Sequence, residues 1–104
     1  MSKNKPMQIV SYKAIAQYTS LHADAKLALD EWYIKTEQCK WSCFADIRQT
    51  FGSTDSIGNN RFVFNIRGDR YRIIAIVIFA SQKIYLRFIG THAEYSKIKN
   101  GSTL

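Results

Sequence analysis

His92 and Tyr95 stand three residues apart near the end of the chain, a spacing that puts two side chains on one side of a helical turn. Imidazole titrates near neutrality, so it can both take and give a proton at physiological pH. Tyrosine adds a hydroxyl for hydrogen bonding and a ring on which a nucleobase can stack. Upstream lie Asn65, Arg67, Arg70, Arg72 and Arg87, and downstream Lys97 and Lys99. A guanidinium donates two parallel hydrogen bonds to a phosphate and keeps its charge at any physiological pH. Together these residue types point to proton transfer at a phosphate ester held by arginines. The plain alternative is that the arginines are solvated strand residues or partners of Asp69 and Glu94. Those are the only acids in this half of the chain, so most of its cations would remain unpaired.

The charge distribution supports a polyanionic partner. Residues 61–104 carry eight Lys/Arg against two acids, a net +6, whereas residues 1–60 carry seven against six, a net +1. A lopsided basic balance favours nucleic acid over membrane, without distinguishing RNA from DNA. The longest apolar run, Ile73 to Ala80, is too short to cross a bilayer, for which ~18 residues are needed. The basic start Met1-Ser2-Lys3-Asn4-Lys5-Pro6 lacks the apolar stretch and cleavage site of a secretory signal. A cytoplasmic location is therefore expected. Cys39 and Cys43 are the only cysteines, and two thiols without a nearby histidine do not make a zinc site. They read as free thiols in a reducing compartment. The basic half also lacks the clustered carboxylates of a divalent-metal nuclease. No metal or other cofactor is expected.

Which elements position these groups? With 104 residues, one domain spanning 1–104 is expected. Met7 to Val10 reads as a first strand at an edge. Ser11 is a candidate cap for a short helix that places Ile15 and Tyr18 on one face and ends near Thr19-Ser20. A second helix is predicted from Ala23 to Thr36, with Ala25, Leu29 and Trp32 facing the core and Asp24, Lys26, Asp30 and Lys35 on the water side. A third helical piece runs from Cys43 to about Gln49, with Phe44 and Ile47 inward. Gly52 to Asn60 is dominated by turn-forming residues and reads as a loop.

Three strands follow. Arg61 to Arg67 alternates, with Phe62, Phe64 and Ile66 opposite Val63, Asn65 and Arg67. Gly68-Asp69 reads as a tight hairpin turn. Arg70 to Phe79 is apolar on both faces, as a central strand should be. After a turn at Ser81-Gln82-Lys83, Ile84 to Ile89 is the last strand, with Leu86 and Phe88 opposite Tyr85 and Arg87. A helical turn from His92 to Lys99 closes the domain. The order β-α-α-β-β-β, with helices packed on a mostly antiparallel sheet, is an α+β architecture. If the helices cover the aromatic face, Asn65, Arg67, Arg72 and Arg87 project from an uncovered one.

The run Phe62-Val63-Phe64-Asn65-Ile66-Arg67-Gly68-Asp69-Arg70-Tyr71-Arg72-Ile73-Ile74, with Leu86-Arg87-Phe88-Ile89-Gly90-Thr91-His92-Ala93-Glu94-Tyr95, resembles the HigB toxin family of the RelE-like superfamily. The Thr91-His92-x-Glu94-Tyr95 element is its most specific feature. Leu29-x-x-Trp32, Lys40-Trp41, Ala45-Asp46-Ile47 and Phe51 extend the resemblance over nearly the whole chain. Two positions depart from the family pattern: Asp69 replaces the usual asparagine, and Ser96 stands where aspartate is common.

The resemblance implies a RelE-like fold and a toxin of a type II toxin–antitoxin system, acting as a ribosome-dependent mRNA endonuclease (mRNA interferase). Its implied partners are mRNA, the ribosome and a cognate HigA-type antitoxin carrying a helix-turn-helix domain. On that reading Arg72, Arg87, His92 and Tyr95 are catalytic, and Asn65, Arg67, Arg70, Lys97 and Lys99 contact RNA. The RNA 2′-hydroxyl would serve as nucleophile, which requires no metal. The rival readings are a non-catalytic RNA- or ribosome-binding domain, a gyrase-inhibiting ParE-like toxin and a purely structural protein.

Overall fold

The computed structural model describes residues 6–10 and 12–104; the proposed cap Ser11 lies outside them. The chain runs β1 (Gln8–Ile9), α1 (Tyr12–Leu21), a 3₁₀ turn (Ala23–Ala25), α2 (Lys26–Glu37), α3 (Phe44–Thr50), β2 (Asp55–Gly58), β3 (Arg61–Ile66), β4 (Tyr71–Ile78), β5 (Lys83–Thr91) and α4 (His92–Ser96), with a last 3₁₀ turn at Gly101–Thr103. The strands form one sheet in the order β1-β5-β4-β3-β2. Only β1 is parallel to its neighbour, Ile9 facing Ile84 at the sheet edge. The α+β class and the mostly antiparallel sheet are as expected.

The helices bury one face of this sheet. Ile15 from α1, Ala25 from the 3₁₀ turn, Leu29 and Trp32 from α2 and Ile47 from α3 share a core with Phe62, Phe64, Ile66, Ile73, Ala75, Val77 and Ile84. Trp32 meets Phe64 edge-on at 5.3 Å and Trp41 stacks on it at 6.2 Å, so Phe64 is the centre of an aromatic cluster. β4 is buried on both sides, with Ile73 and Ile74 fully enclosed. That explains its uninterrupted apolar sequence.

Four expectations need correction. The stretch read as a loop contains β2, which pairs Asp55 with Val63 and Ser56 with Phe62. The free edge of β3 offers unpaired backbone groups, and satisfying them outweighs weak strand propensity. Asn59 and Asn60, with φ of 53° and 61°, close this hairpin in the left-handed region that asparagine tolerates. Second, the β3–β4 connection is not a two-residue turn at Gly68-Asp69. Ile66 pairs with Tyr71, leaving Arg67 to Arg70 as a four-residue loop. Arg67 and Gly68 take the positive φ values, 55° and 65°.

Third, β5 does not alternate strictly. Ile74 faces Phe88 but Ala75 faces Leu86, so Arg87 is the extra residue of a β-bulge. Phe88 is thereby moved to the face away from the helices, while Leu86 stays on the helical side against the core. Fourth, the far face is not bare. Val63 and Ile74 are buried there, and a Cβ on Gly101 would lie 2.9 Å from Ile57 Cδ1 and 3.3 Å from Ile74 Cδ1. The last residues thus lie across that end of the sheet. The Arg61 guanidinium holds them by donating to the Leu104 carbonyl at 2.6 and 3.1 Å, and Asn59 donates to the Ser102 carbonyl at 3.1 Å.

Candidate active site

The end of β5 runs straight into α4 through a capping box. The Glu94 backbone N–H donates to Thr91 Oγ1 at 3.1 Å, and the Thr91 N–H donates to the Glu94 carboxylate at 2.7 Å. This reciprocal pair satisfies two amides that a helix start would otherwise leave open. Glu94 is therefore occupied in building the turn and is not a partner of the arginines. The His92 N–H donates to the Arg70 carbonyl at 3.1 Å, which ties the turn to the β3–β4 loop. His92 is exposed. Ser96 Oγ donates to the His92 carbonyl at 2.9 Å and lies 3.4 Å from the imidazole Nδ1. A serine hydroxyl therefore stands beside the imidazole, at the position where the family pattern has an acid.

Arg72 and Tyr95 meet. The Arg72 guanidinium lies over the Tyr95 ring at 4.7 Å, a cation–π contact, and Phe88 lies 6.4 Å from the same ring. Gly90 makes room for this stack. It faces Arg72 across the strands, and a Cβ there would come within 2.5 Å of Phe88 Cζ and 2.9 Å of Glu94 Oε1. Asp69 accepts from Arg72 at 3.1 Å, so the departure from asparagine adds an ion pair. Asn65 lies directly opposite Arg72 and donates to the Ser53 carbonyl at 3.2 Å. Asn65 Oδ1 and Arg72 Nε are both buried without a hydrogen-bond partner. An unmet acceptor and an unmet donor at paired positions each cost about 1–3 kcal/mol.

The remaining arginines go elsewhere. Arg67 crosses to the helical side and donates to Asp24 at 2.9 Å, with Arg70 4.0 Å from the same carboxylate oxygen. Asp24 also accepts from the Tyr71 hydroxyl at 2.6 Å. Strand alternation predicted Arg67 beside Asn65, but its left-handed backbone reverses that direction. The acid that pairs these arginines comes from the opposite half of the chain, where sequence counting could not find it. Arg87, at the bulge, lines a groove of about 350 Å³ between α1 and β5, beside Ala14, Gln17, Tyr18 and Leu21. It is exposed and makes no ion pair among the described residues. Lys97 follows α4, and Lys99 lines a small hollow with Tyr95, Ser96 and Ile98. Arg72, Tyr95 and His92 are thus gathered around one turn, while Arg87 opens onto a separate groove.

Tyr18, Asp24 and Tyr71 have displaced proton affinities. Burial, and then the charges of Glu94, Tyr71 and Asp24, push the Tyr18 hydroxyl up to about 12. Its ring stacks on His22 at 4.1 Å. The Tyr71 hydroxyl, with help from Arg67 and Arg70, holds the Asp24 carboxyl below its ordinary value.

A family model described as the RelE-like toxic component of a toxin–antitoxin system, the HigB toxin, matches residues 25–98. The chain belongs to the HigB toxin family. The match takes in Asn65, the arginines, His92 and Tyr95. This chain is 39% identical over 51 residues to the mRNA interferase toxin HigB of Escherichia coli K12, covering 47% of this chain and 49% of that protein. The mRNA interferase HigB of Shigella flexneri matches to the same extent. These matches span about half the length of those relatives. A longer one, 26% identical over 94 residues, joins 88% of this chain to 91% of the mRNA interferase HigB of Escherichia coli O6:H1.

Proposed function

We propose that this protein is the toxin of a type II toxin–antitoxin pair and cuts mRNA on the ribosome without a metal. The observation that carries this reading is the Arg72–Tyr95 stack on the helical turn that His92 begins, on residues inside the family match. The relatives' designation as mRNA interferases supports the choice of substrate.

RNA brings its own nucleophile. The 2′-oxygen attacks the adjacent phosphorus, the bond from phosphorus to the 5′-oxygen breaks, and a 2′,3′-cyclic phosphate and a 5′-hydroxyl result. One proton leaves the 2′-hydroxyl and one joins the departing 5′-oxygen. His92 moves one of these protons. Arg72 offsets the charge that builds on the phosphoryl oxygens, and Arg87, which opens onto the separate groove between α1 and β5, holds a flanking phosphate. Tyr95 holds the nucleotide against its ring or assists the proton transfer, and Asn65 stands opposite Arg72 on the adjacent strand. Lys97 and Lys99 hold flanking phosphates. Arg67 and Arg70 can do so only in competition with Asp24.

The decisive experiment is single-turnover cleavage of ribosome-bound message. His92→Ala is expected to lower the rate by at least ~100-fold, the usual worth of one general acid or base, while ribosome binding and antitoxin binding persist. Full cleavage by this variant would remove His92 from the mechanism, and products ending in a 3′-hydroxyl and a 5′-phosphate, as attack by a metal-activated water gives, would overturn the metal-free chemistry. We further propose a helix-turn-helix antitoxin of the HigA type as the partner that silences the toxin. Co-purification of the neighbouring gene product would test this.

A further inference from the structure

Asp24 lies one residue before the family match begins and takes no part in the chemistry above, yet it joins two side chains of the β3–β4 loop and the first residue of β4. Its carboxylate accepts from Tyr71 at 2.6 Å and from Arg67 at 2.9 Å, with Arg70 at 4.0 Å. Arg67 sits at a φ of 55°, a left-handed conformation that costs a non-glycine residue about 1–2 kcal/mol. That backbone turns the guanidinium towards Asp24, away from the face that carries Arg72.

We propose that Asp24 is an internal counter-anion that withholds Arg67 and Arg70 from RNA and so limits how strongly the toxin grips phosphate nonspecifically. The side chains are open enough to exchange partners: Arg67 is 45% exposed, Arg70 61% and Asp24 50%. An exposed pair of this kind is weak and screened by salt, so a phosphate can compete for the arginines. Tyr71 is different. It is buried and its hydroxyl fixes the carboxylate in place whether or not the arginines remain. The free protein thus presents Arg87, Lys97 and Lys99 to RNA, keeps Arg72 paired with Asp69, and holds two further cations in reserve. This assignment rests on the proposed RNA-directed function, but its test needs no cleavage.

The test is the salt dependence of binding to a short oligouridylate. Each phosphate contact on a single strand adds about 0.7 to the slope of log affinity against log salt. Asp24→Asn keeps an acceptor for the Tyr71 hydroxyl and removes the charge. It is expected to steepen the slope by about 0.7–1.4, for one or two released arginines. Adding Arg67→Ala and Arg70→Ala to this variant should cancel the gain, whereas Asp55→Asn, which removes an acid elsewhere, should leave the slope near that of the unaltered protein. An unchanged slope in Asp24→Asn, or an equal gain in Asp55→Asn, overturns the counter-anion. If Asp24→Asn does not fold, side-chain NMR of the unaltered protein decides. The Arg67 and Arg70 guanidinium signals should move only at oligouridylate concentrations above those that shift Arg87, and simultaneous movement overturns the proposal. No oligouridylate binding by any form, the unaltered protein included, overturns both this assignment and the RNA reading; binding with the expected slopes, together with no cleavage of ribosome-bound message, leaves it standing while removing the nuclease.

Discussion

At the scale of single residues, the site depends on what stands next to each functional group. Ser96 Oγ stands 3.4 Å from the His92 imidazole, at the position where the family pattern has an acid. Ser96→Asp would place a negative charge there, favouring the protonated imidazole. The pH–rate profile for RNA cleavage should then move to higher pH, and an unmoved profile would show that His92 does not titrate in the rate-limiting step. Tyr18 offers a second test. Its hydroxyl is buried without a partner, and its proton is held up to about 12, against an ordinary 10.0. A raised value means that the fold prefers the neutral phenol. The associated stability is present below pH 10 and is lost as pH rises towards 12. Ultraviolet titration should show tyrosine ionisation extending to about 12, and Tyr18→Phe should remove one tyrosine from the high-pH end of the curve. Because this change also removes an unmet hydroxyl, it should leave stability equal or raise it by up to about 1 kcal/mol.

At the scale of elements, the end of β5 acts as the platform for α4. Gly90 is the position where a side chain cannot be accommodated, since both Phe88 and Glu94 close over it. Gly90→Ala should displace the Phe88 ring and disturb the capping box, at a cost of about 1–3 kcal/mol from overpacking. It should also lower cleavage more than binding, because Arg72 and Tyr95 lose their common support. A thermal melt combined with single-turnover rates would check both parts. The bulge at Arg87 belongs to this scale as well. It was invisible to a reading based on strict alternation, because a bulge is decided by how β5 registers against β4. The strands β1, β3, β4 and β5, and the division between apolar and polar positions on β3, were legible because burial imposes its period on the sequence directly.

Across the whole molecule, two faces of the sheet are closed by different means. The helices cover one with a large aromatic and aliphatic core, and residues 98–104 lie across part of the other. Arg61 is the clasp of that second layer. Arg61→Ala should release the last residues and expose Val63 and Ile74, costing about 1–3 kcal/mol for lost charge-assisted hydrogen bonds. Faster proteolysis after Lys97 or Lys99 would report it, and an unchanged digestion pattern would show that packing alone holds the segment. Among the described residues, no helix is long and apolar enough to cross a membrane. The net +7 charge is thus carried by a molecule whose cations are partly committed, to Asp24, Asp69 and a backbone carbonyl, and partly free.

Residue order alone determined the α+β class, the central position of β4, the apolar faces of α2 and β3, and the recognition of the Thr91-His92-x-Glu94-Tyr95 element with its basic strands. All of these are local patterns, repeated at the period of one helix or one strand. Which cation meets which anion was decided only in three dimensions. Asp24 lies forty-three residues from Arg67 in the chain and meets it only because the 3₁₀ turn before α2 packs beside the β3–β4 loop. The hidden strand β2, the bulge and the covered far face share that origin. Each satisfies backbone groups or apolar surface presented by distant segments, and composition and periodicity do not register such demands.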